Sequence, residues 1–288
     1  MTRPPSPNPI AVLDVGGTSI KGGVVRGEEV EHTRSIPTLA NSSADVIFEQ
    51  LAEATNMALG LSGTGTVGLA IGFPGPFDRA AGAALMHGLH KFDSIYSIEL
   101  RPGLRARTAV GDLPIKFVHD NEAAGVGEAV MGAGRGINRV LTVTLGTGVG
   151  TCLTDHGVPV PALGDLSIKR LALRETQWGR ADDVLSARGL ATRVGVDTTD
   201  LRAAVDDGGV AETVEDHGRR IGTFLSPVVD ELGVDMVVIG GGLAASFDLF
   251  GPSLRRALGS TPCLAASLGA DGPLLGAALL AFPANPSG

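Results

Sequence analysis

One short pattern, an apolar strand followed by a glycine turn and a second strand, occurs twice and most constrains the fold of this chain. The first copy reads Asp14-Val-Gly-Gly-Thr-Ser-Ile-Lys21, and the second reads Leu145-Gly-Thr-Gly-Val-Gly150. Because an extended pattern resumes directly after each turn, each copy predicts a β-hairpin rather than the start of a βαβ unit. We interpret the repetition as an internal duplication, in which each hairpin opens one α/β half of the chain.

Apolar periodicity predicts the other elements. Strands are expected at 10–15, 22–25, 67–72, 115–119, 140–145, 149–153 and 234–239, and helices at 44–61, 121–131, 181–194, 198–207, 210–232 and 273–282. We divide the chain into an N-terminal α/β domain over 10–118 and a C-terminal α/β domain over 119–288. The last helix, 273–282, could complete the first domain. The prolines within 1–9 predict a disordered leader, since proline joins neither a helix interior nor a strand ladder.

Composition excludes several classes of protein. Lysine and arginine number 23 against 31 acidic residues, and the resulting net charge of −8 argues against a general nucleic-acid binder. Two cysteines, Cys152 and Cys263, exclude a disulfide framework and a four-cysteine zinc site. No apolar run has the length or place of a signal peptide or a membrane span. We therefore expect a cytoplasmic protein that has neither a nucleic-acid nor a membrane partner.

Glycine turns end three of the predicted strands: the two hairpin turns and Gly240-Gly241-Gly242. Because glycine lacks a Cβ, backbone N–H groups in such turns can approach an anion closely. Thr18 and Thr147 add hydroxyl donors, and Lys21 on the first hairpin adds a cation. A single glycine turn usually does nothing but reverse the chain. Three of them at strand ends predict a shared polyphosphate site.

Two familiar nucleotide motifs do not explain these turns. The chain contains no G-x-x-x-x-G-K-[ST] string, so a P-loop is excluded. The stretch Gly240-Gly-Gly-Leu-Ala-Ala245 formally matches a dinucleotide-binding fingerprint. Too little chain follows it for the βαβ unit and the ribose-binding acid that this fold requires.

Three charged residues near the turns each have two interpretations. Asp120 follows the strand at 115–119, where it is either a helix N-cap or a base that accepts a hydroxyl proton during phosphoryl transfer. Asp14 either caps the first turn or orients water around Mg²⁺, which prefers carboxylate and phosphate oxygens. Lys21 either reaches the phosphates or is simply solvated.

Five motifs in this order resemble the ROK family of sugar kinases, which belongs to the actin/hexokinase/Hsp70 superfamily. They are the two hairpin motifs, Gly72-Phe-Pro-Gly-Pro76, Asp120 and Ile239-Gly-Gly-Gly242. The likeness runs from Ile10 to Ala281. It implies two actin-like (ribonuclease H-like) domains, each with a mixed five-stranded sheet flanked by helices, and a cleft between them for ATP and substrate.

The resemblance also implies roles for these residues. The phosphates of ATP would contact Gly16, Gly17 and Thr18 in the first turn and Gly146, Thr147 and Gly148 in the second, while Gly240, Gly241 and Gly242 would lie against adenosine. Asp120 would be the catalytic base, and Asp14 and Lys21 would serve Mg²⁺ and the phosphates. Homodimers are common among such relatives, so we expect a homodimer.

The sugar site departs from the family pattern. His119 stands where these kinases usually place Asn before the catalytic Asp. In the Gly-Glu-x-Gly-His segment, Ala162 replaces Glu and Asp165 replaces His, and an upstream Asn near 87–90 is also replaced. The zinc motif C-x-C-G-x-x-G-C is absent, so no structural zinc is expected. Because a site built to bind particular hydroxyl groups rejects molecules without them, a changed set of donors and acceptors indicates a changed acceptor molecule.

The candidates for binding this acceptor are Gly75, His87, His90, Asp93, His119, Asp120, Asp165 and Glu175. Each lone histidine could instead be a surface or core residue. Trp178 could stack on a sugar face, although burial in loop packing is the commoner role of such a residue.

The sequence thus predicts an ATP- and Mg²⁺-dependent kinase that acts on a hydroxyl of a modified sugar, an aminosugar or a cyclitol. One alternative keeps the fold and uses polyphosphate as donor. Another is a sugar-binding protein without catalysis. The short stretch before the first strand leaves no room for the DNA-binding helix-turn-helix of ROK repressors.

Overall fold

The computed structural model describes residues 5–88, 91–163 and 166–284. The chain forms two compact units. One comprises the described residues up to Gly127 together with those from Ala270 onward, and the other is Glu128–Gly269. The division therefore falls inside a helix that begins at Asp120, later in the chain than the boundary expected between 118 and 119.

The sheet of the first unit has five strands in the order β3-β2-β1-β4-β7. The strands of this unit are β1 Ile10–Val15, β2 Ser19–Arg26, β3 Glu29–Pro37, β4 Leu69–Phe73, the short hairpin β5 Phe77–Asp78 with β6 Ala83–Ala84, and β7 Ile115–His119. β1, β2 and β3 are antiparallel, whereas β1, β4 and β7 run parallel. The carboxyl ends of three parallel strands therefore meet at one edge of the sheet. β3 was not predicted.

The helices in this part of the chain are α1 Ala44–Ser62, α2 Leu100–Arg107 and α3 Asp120–Val130, with a 3-10 turn at Asp93–Ile95. α1 packs on strands β1, β2 and β3 of the sheet, and α2 packs on α1. α1 buries residues at helical spacing, Ile47, Leu51, Ala54 and Ala58, because these positions recur on one face of a helix. The predicted helices at 44–61 and 121–131 are thus present with small shifts at their ends.

The sheet of the second unit also has five strands, in the order β10-β9-β8-β15-β16. The strands of this unit are β8 Arg139–Leu145, β9 Val149–Asp155, β10 Val158–Val160, the short pairs β11 Ala162–Leu163 with β12 Leu166–Ser167 and β13 Glu175–Thr176 with β14 Gly179–Arg180, then β15 Met236–Gly240 and β16 Cys263–Ala265. β8 pairs antiparallel with β9 and parallel with β15, as β1 does with β2 and β4. The predicted fold class, two α/β domains built on mixed five-stranded sheets, is confirmed.

The second unit carries five helices among its described residues: α4 Ala181–Val184, α5 Ala187–Val194, α6 Leu201–Asp206, α7 Ala211–Leu232 and α8 Phe247–Leu258. Short 3-10 segments lie at Ile168–Leu173 and Gly242–Ser246. The single helix expected over 181–194 is wrong, because it is interrupted at Ser186, whose Oγ accepts a hydrogen bond from Gly189 N at 3.1 Å and caps α5. α8 was not predicted.

The last helix, α9 Gly272–Ala281, follows a 3-10 turn at Gly269–Asp271 and packs on strands β1 and β4 of the first unit. A Cβ on Gly276 would lie 1.7 Å from the carbonyl oxygen of Ala123, so the absence of a side chain lets α9 contact α3. Lys116 on β7 donates to the carbonyl of Ala281 at 2.7 Å. The C-terminal helix is therefore part of the first unit.

Residues 5–9 contact other parts of the first unit, and residues 1–4 of the expected leader over 1–9 lie outside the described residues. Pro5 bridges to Pro283, and Ser6 N donates to the carbonyl of Phe282 at 3.3 Å. Pro9 accepts a hydrogen bond from Val67 N at 3.0 Å. Carbonyl groups and buried proline rings still allow this segment to be held, even though proline cannot donate to a ladder.

None of the helices in the described part of the chain is both long and apolar enough to cross a membrane.

Candidate functional site

The first glycine turn joins β1 to β2 and is held by a residue outside the hairpin. Gly16 N donates to the carbonyl of Ser19 at 2.9 Å, which closes the turn. The buried Thr38 donates its hydroxyl hydrogen to the Gly16 carbonyl at 2.8 Å, and its N–H donates to the Thr18 carbonyl at 3.0 Å. Within 5–88, 91–163 and 166–284, the N–H groups of Gly17 and Thr18 donate to no acceptor. The turn thus presents two N–H donors at an exposed corner.

The second glycine turn joins β8 to β9 and is built in the same manner. Gly146 N donates to the carbonyl of Gly148 at 3.0 Å, and Asp182 Oδ1 accepts a hydrogen bond from Val149 N at 2.7 Å. A Cβ on Gly148 would lie 2.6 Å from Asp182 Oδ1, so the carboxylate occupies the space of a side chain. The N–H groups of Thr147 and Gly148 donate to no acceptor among the described residues. Here too, two N–H groups are left for an anion.

The third glycine turn follows β15 and lies against the second. Gly241 has a φ of 79°, and a Cβ there would lie 2.6 Å from the backbone N and O of Leu145. Only glycine fits, because the left-handed backbone and the contact both exclude a side chain. Leu145 directly precedes Gly146, so the structure brings two of the predicted glycine turns together. Gly242 has open space where its side chain would be.

Asp14 and Asp120 lie on either side of Gly72 in the first unit. Asp14 on β1 pairs in register with Gly72 on β4, and Asp120 follows β7, the next strand of the sheet. A Cβ on Gly72 would lie 3.7 Å from Asp14 Oδ1 and 3.9 Å from Asp120 Cα. The missing side chain therefore leaves space beside both acidic residues, at the edge where the parallel strands end.

Both carboxyl groups have raised pKa values. Burial, and next the negative charge of Asp120, raises the pKa of Asp14 to about 7, while the charge of Lys21 lowers it. Burial likewise raises the pKa of Asp120 to about 6, against the hydrogen bond from Asn121 N and the charge of Lys91, which lower it. Both side chains still keep partial contact with solvent. Perturbed carboxyl groups that solvent can reach are typical of functional sites.

Asp120 lies inside α3 rather than at the N-cap position before it, and it uses one carboxylate oxygen in a local hydrogen bond. Asp120 is the first residue of α3, and its Oδ1 accepts a hydrogen bond from Asn121 N at 2.7 Å. One carboxylate oxygen thus holds the start of the helix. Since a carboxylate has two oxygens, the other can accept a proton from a substrate hydroxyl.

Two lysines lie near the first turn in different situations. Lys21 donates to Asp271 Oδ1 at 3.0 Å and to the carbonyl of Ala270 at 2.9 Å, so it is paired at the start of α9 rather than solvated. Lys91 was not singled out from the sequence. Its Cδ lies 3.9 Å from the position that a Cβ on Gly17 would take.

Residues predicted to bind the acceptor are only partly brought together. A Cβ on Gly75 would lie 3.8 Å from His119 Nδ1, so the imidazole faces the turn after β4. The peptide bond between Gly75 and Pro76 is cis. His119 is the last residue of β7 and directly precedes Asp120 in the chain.

Other acceptor candidates have separate surroundings. The His87 ring contacts the Tyr96 ring with centroids 5.2 Å apart, and Asp93 accepts a hydrogen bond from Gly88 N. Glu175 is exposed on the β13–β14 hairpin of the second unit. Two further candidates, His90 and Asp165, lie outside the described residues. Trp178 lies in the turn of the same hairpin, where its ring stacks under the guanidinium of Arg220 at 5.0 Å.

Similarity to known proteins decides the family. The profile of the ROK family matches residues 10–159, more than half of the chain. The chain belongs to the ROK family.

Individual ROK relatives agree with this assignment. A β-glucoside kinase from Listeria innocua is 30% identical over 156 residues, which cover 52% of this chain and 48% of that relative. The chain spans about half the length of the first curated relatives that it matches. The crystal structure of a ROK hexokinase from Thermus thermophilus is 26% identical, with a TM-score of 0.74 and coverage of 95% and 97%. An inorganic polyphosphate/ATP-glucomannokinase from Arthrobacter sp. strain KM is 25% identical, with a TM-score of 0.73 and coverage of 95% and 98%.

No three His, Cys, Asp or Glu side chains cluster closely enough to hold a metal ion in the part of this ROK protein that the structure describes. A Mg²⁺ ion in a kinase usually needs fewer protein ligands, because it keeps several waters and binds phosphate oxygens through one or two carboxylates. Asp14, with its neighbour Asp120, fits that smaller requirement. A divalent cation there would offset the burial, and next the repulsion by Asp120, that raise the pKa of Asp14.

Sequence reasoning missed Thr38 and Lys91, which lie near the first turn, and Asp182, which holds the second turn in the other unit. Each is distant in sequence from its turn, and none belongs to a recognisable motif. Thr38 directly follows β3, and β3 pairs with strand β2 of the first hairpin. A prediction of β3 would have placed a hydroxyl beside the turn.

Proposed function

We propose that this ROK protein is an ATP- and Mg²⁺-dependent kinase that transfers the γ-phosphoryl group to a hydroxyl of a small sugar or sugar-like molecule. The observation that carries the proposal is the position of Asp120, which lies with Asp14 on either side of Gly72 at the carboxyl edge of the sheet. The names of the relatives, a β-glucoside kinase and a ROK hexokinase, support the same reaction class.

The two hairpin turns and Asp120 have distinct tasks in this proposal. The N–H groups of Gly17, Thr18, Thr147 and Gly148 bind phosphate oxygens of the donor. Asp120 accepts the proton of the attacking hydroxyl, and its pKa of about 6 leaves it ionised at neutral pH. Phosphoryl transfer depends mainly on positioning and charge stabilisation, which these fixed donors and the carboxylate supply.

The proposed reaction needs a phosphoryl donor and a divalent cation in addition to the protein. ATP provides the phosphoryl group, and Mg²⁺ neutralises phosphate charge, with Asp14 as the residue that would hold its water shell. Gly241 and Gly242 would lie beside the adenosine, since a side chain on Gly242 would meet only open space. We predict no structural zinc.

We propose that the acceptor differs from glucose. His119 directly precedes Asp120, where ROK kinases usually have Asn, and its imidazole faces Gly75. An imidazole offers one donor and one acceptor in a different geometry from an amide. A modified sugar, an aminosugar or a cyclitol fits a site altered in this manner. His87, Asp93, Glu175, His90 and Asp165 are further candidates for acceptor contacts.

A second donor is favoured by one relative, the polyphosphate/ATP-glucomannokinase. Release of ADP and consumption of polyphosphate are therefore measured in parallel, with Mg²⁺ and a panel of hexoses, aminosugars and cyclitols. We expect acceptor-dependent ADP release. If polyphosphate is consumed in the presence of an acceptor and no ADP is released, the donor is polyphosphate rather than ATP. If no acceptor is phosphorylated but sugars still raise the melting temperature, the protein is a sugar-binding module and the proposal is wrong.

The expected homodimer stays a prediction. Light scattering on the purified protein after size exclusion measures its mass, and twice the chain mass of 29.3 kDa is expected. A mass of one chain at micromolar concentration would contradict it.

A further inference from the structure

We propose that Lys91 binds the terminal phosphoryl group of the donor, an inference that rests on the proposed function. Neither the sequence motifs nor the family likeness assigns this residue a role. Its ligand would be the γ-phosphoryl oxygens of a nucleoside triphosphate, or the end group of polyphosphate, held at the first glycine turn.

The position of the Lys91 side chain is the first argument. Lys91 Cδ is the nearest atom to a Cβ built on Gly17, at 3.9 Å. The ammonium lies two bonds beyond Cδ. Gly17 and Thr18 present the N–H donors that no described acceptor uses. The Lys91 side chain and two N–H groups therefore lie near the same exposed corner, and a cation with N–H donors is the composition of an anion site.

The backbone beside Lys91 is fixed, which is the second argument. Phe92 is fully buried with a φ of 59°, and its ring lies 5.1 Å from the Phe73 ring. Phe92 N also donates to the carbonyl of Ala40 at 2.7 Å. This anchor fixes the backbone that directly follows Lys91, so binding would not require that segment to be ordered first.

The ammonium of Lys91 is uncommitted, which is the third argument. Lys21, the other lysine near the turn, is paired with Asp271. In the described part of the chain, Lys91 forms no hydrogen bond and no ion pair. Its charge nevertheless acts on Asp120, whose pKa it lowers. Lys91 is thus a free cation close to both the turn and the base.

The reaction explains what such a cation would do. The acceptor oxygen forms a bond to the γ-phosphorus while the bond from that phosphorus to the β-phosphate oxygen breaks. The electron pair of the broken bond leaves with ADP, and the hydroxyl proton passes to Asp120. Lys91 keeps its own protons and stabilises the negative charge on the oxygens of the transferring group.

Titration calorimetry with ADP and with the imido analogue of ATP, each with Mg²⁺, tests this role without an acceptor. Lys91→Met removes the charge at nearly constant length, and Lys91→Arg keeps it. Arg34→Met, at an exposed position on β3, is the control for loss of one positive charge. We expect Lys91→Met to lower the affinity for the analogue by roughly ten- to hundredfold and to change the affinity for ADP only slightly. Lys91→Arg should recover most of the loss, and Arg34→Met should match wild type.

Equal losses for ADP and the analogue, or no loss for either, would overturn the role of Lys91 and leave the proposed function standing. If wild type binds neither nucleotide, tripolyphosphate is titrated in its place, and the same pattern among the variants is expected. Failure of wild type to bind any of the three probes would instead overturn the proposed function, and the assignment of Lys91 with it.

Discussion

Thr38 donates its hydroxyl hydrogen to the carbonyl of Gly16 at 2.8 Å and so holds the first glycine turn from outside the hairpin. The second turn is held in the corresponding manner by Asp182, which accepts from Val149 N at 2.7 Å. In both cases a side chain from elsewhere in the same unit satisfies the backbone of the turn. The N–H groups at the corner are thereby left for a ligand.

Replacing Thr38 with Val should weaken nucleotide binding, because the side chain keeps its shape but no longer fixes the Gly16 carbonyl. We expect the free energy of unfolding to fall by about 1 kcal/mol. Urea denaturation and calorimetry with the imido analogue of ATP measure the two effects. Thr64→Val, at an exposed loop position, is the matched control. Unchanged analogue affinity in Thr38→Val would show that the turn does not need this support.

Asp182→Ala should likewise weaken binding of the analogue, since Val149 N loses its acceptor and the space beside Gly148 opens. Asp182→Asn retains an oxygen acceptor and should recover most of the affinity. The neighbouring Asp183 pairs with Arg180 and Arg188 on the surface, so Asp183→Ala controls for the loss of one carboxylate. If Asp182→Ala and Asp183→Ala bind the analogue equally well, the second turn has no role in donor binding.

The raised pKa of Asp14 predicts how stability changes with pH. Its ordinary value is 3.8, and burial raises the pKa to about 7 in the folded protein. Between these values the folded state binds more protons than the unfolded chain, so the free energy of unfolding falls as pH rises. Asp14→Asn removes this loss and should be more stable than wild type at about pH 8, by on the order of 2 to 4 kcal/mol, with little difference near pH 4.

Chemical denaturation of wild type and Asp14→Asn across that pH range is the measurement. Asp112→Asn, at an exposed position in the same unit, is the control for the loss of one carboxylate. A stabilisation of Asp14→Asn that is the same at low and high pH would contradict the raised pKa.

Local sequence patterns predicted most strands and helices of this fold. Elements that lack such a pattern, or that contain turn residues, were missed. Strand 115–119 was predicted with its observed bounds because it is a short apolar run between breakers. α8 was not predicted, since Gly251 and Pro252 within it form a pair typical of turns. Ser186 is a residue type that favours a helix N-cap, and the prediction of one continuous helix over 181–194 did not take this into account.

Some residues of the candidate site could be predicted from local motifs, whereas others could not. Asp14, Gly17 and Asp120 were found from sequence because each adjoins a strand end in a recognisable motif. Lys91 comes near the first turn only through folding, and nothing in its own sequence neighbourhood indicates this. Thr38 could have been found, because it directly follows β3, which pairs with the first hairpin.

Comparison of Asp120→Asn with wild type tests the central claim most directly. Turnover is measured by ADP release with the acceptor that gives the fastest rate, and affinity for the imido analogue is measured by calorimetry. Because Asn cannot accept the hydroxyl proton, we predict that turnover falls by at least about a hundredfold while analogue affinity and far-UV circular dichroism stay close to wild type. Near-normal turnover in Asp120→Asn would contradict the account, since the reaction would then proceed without the carboxylate on which it depends.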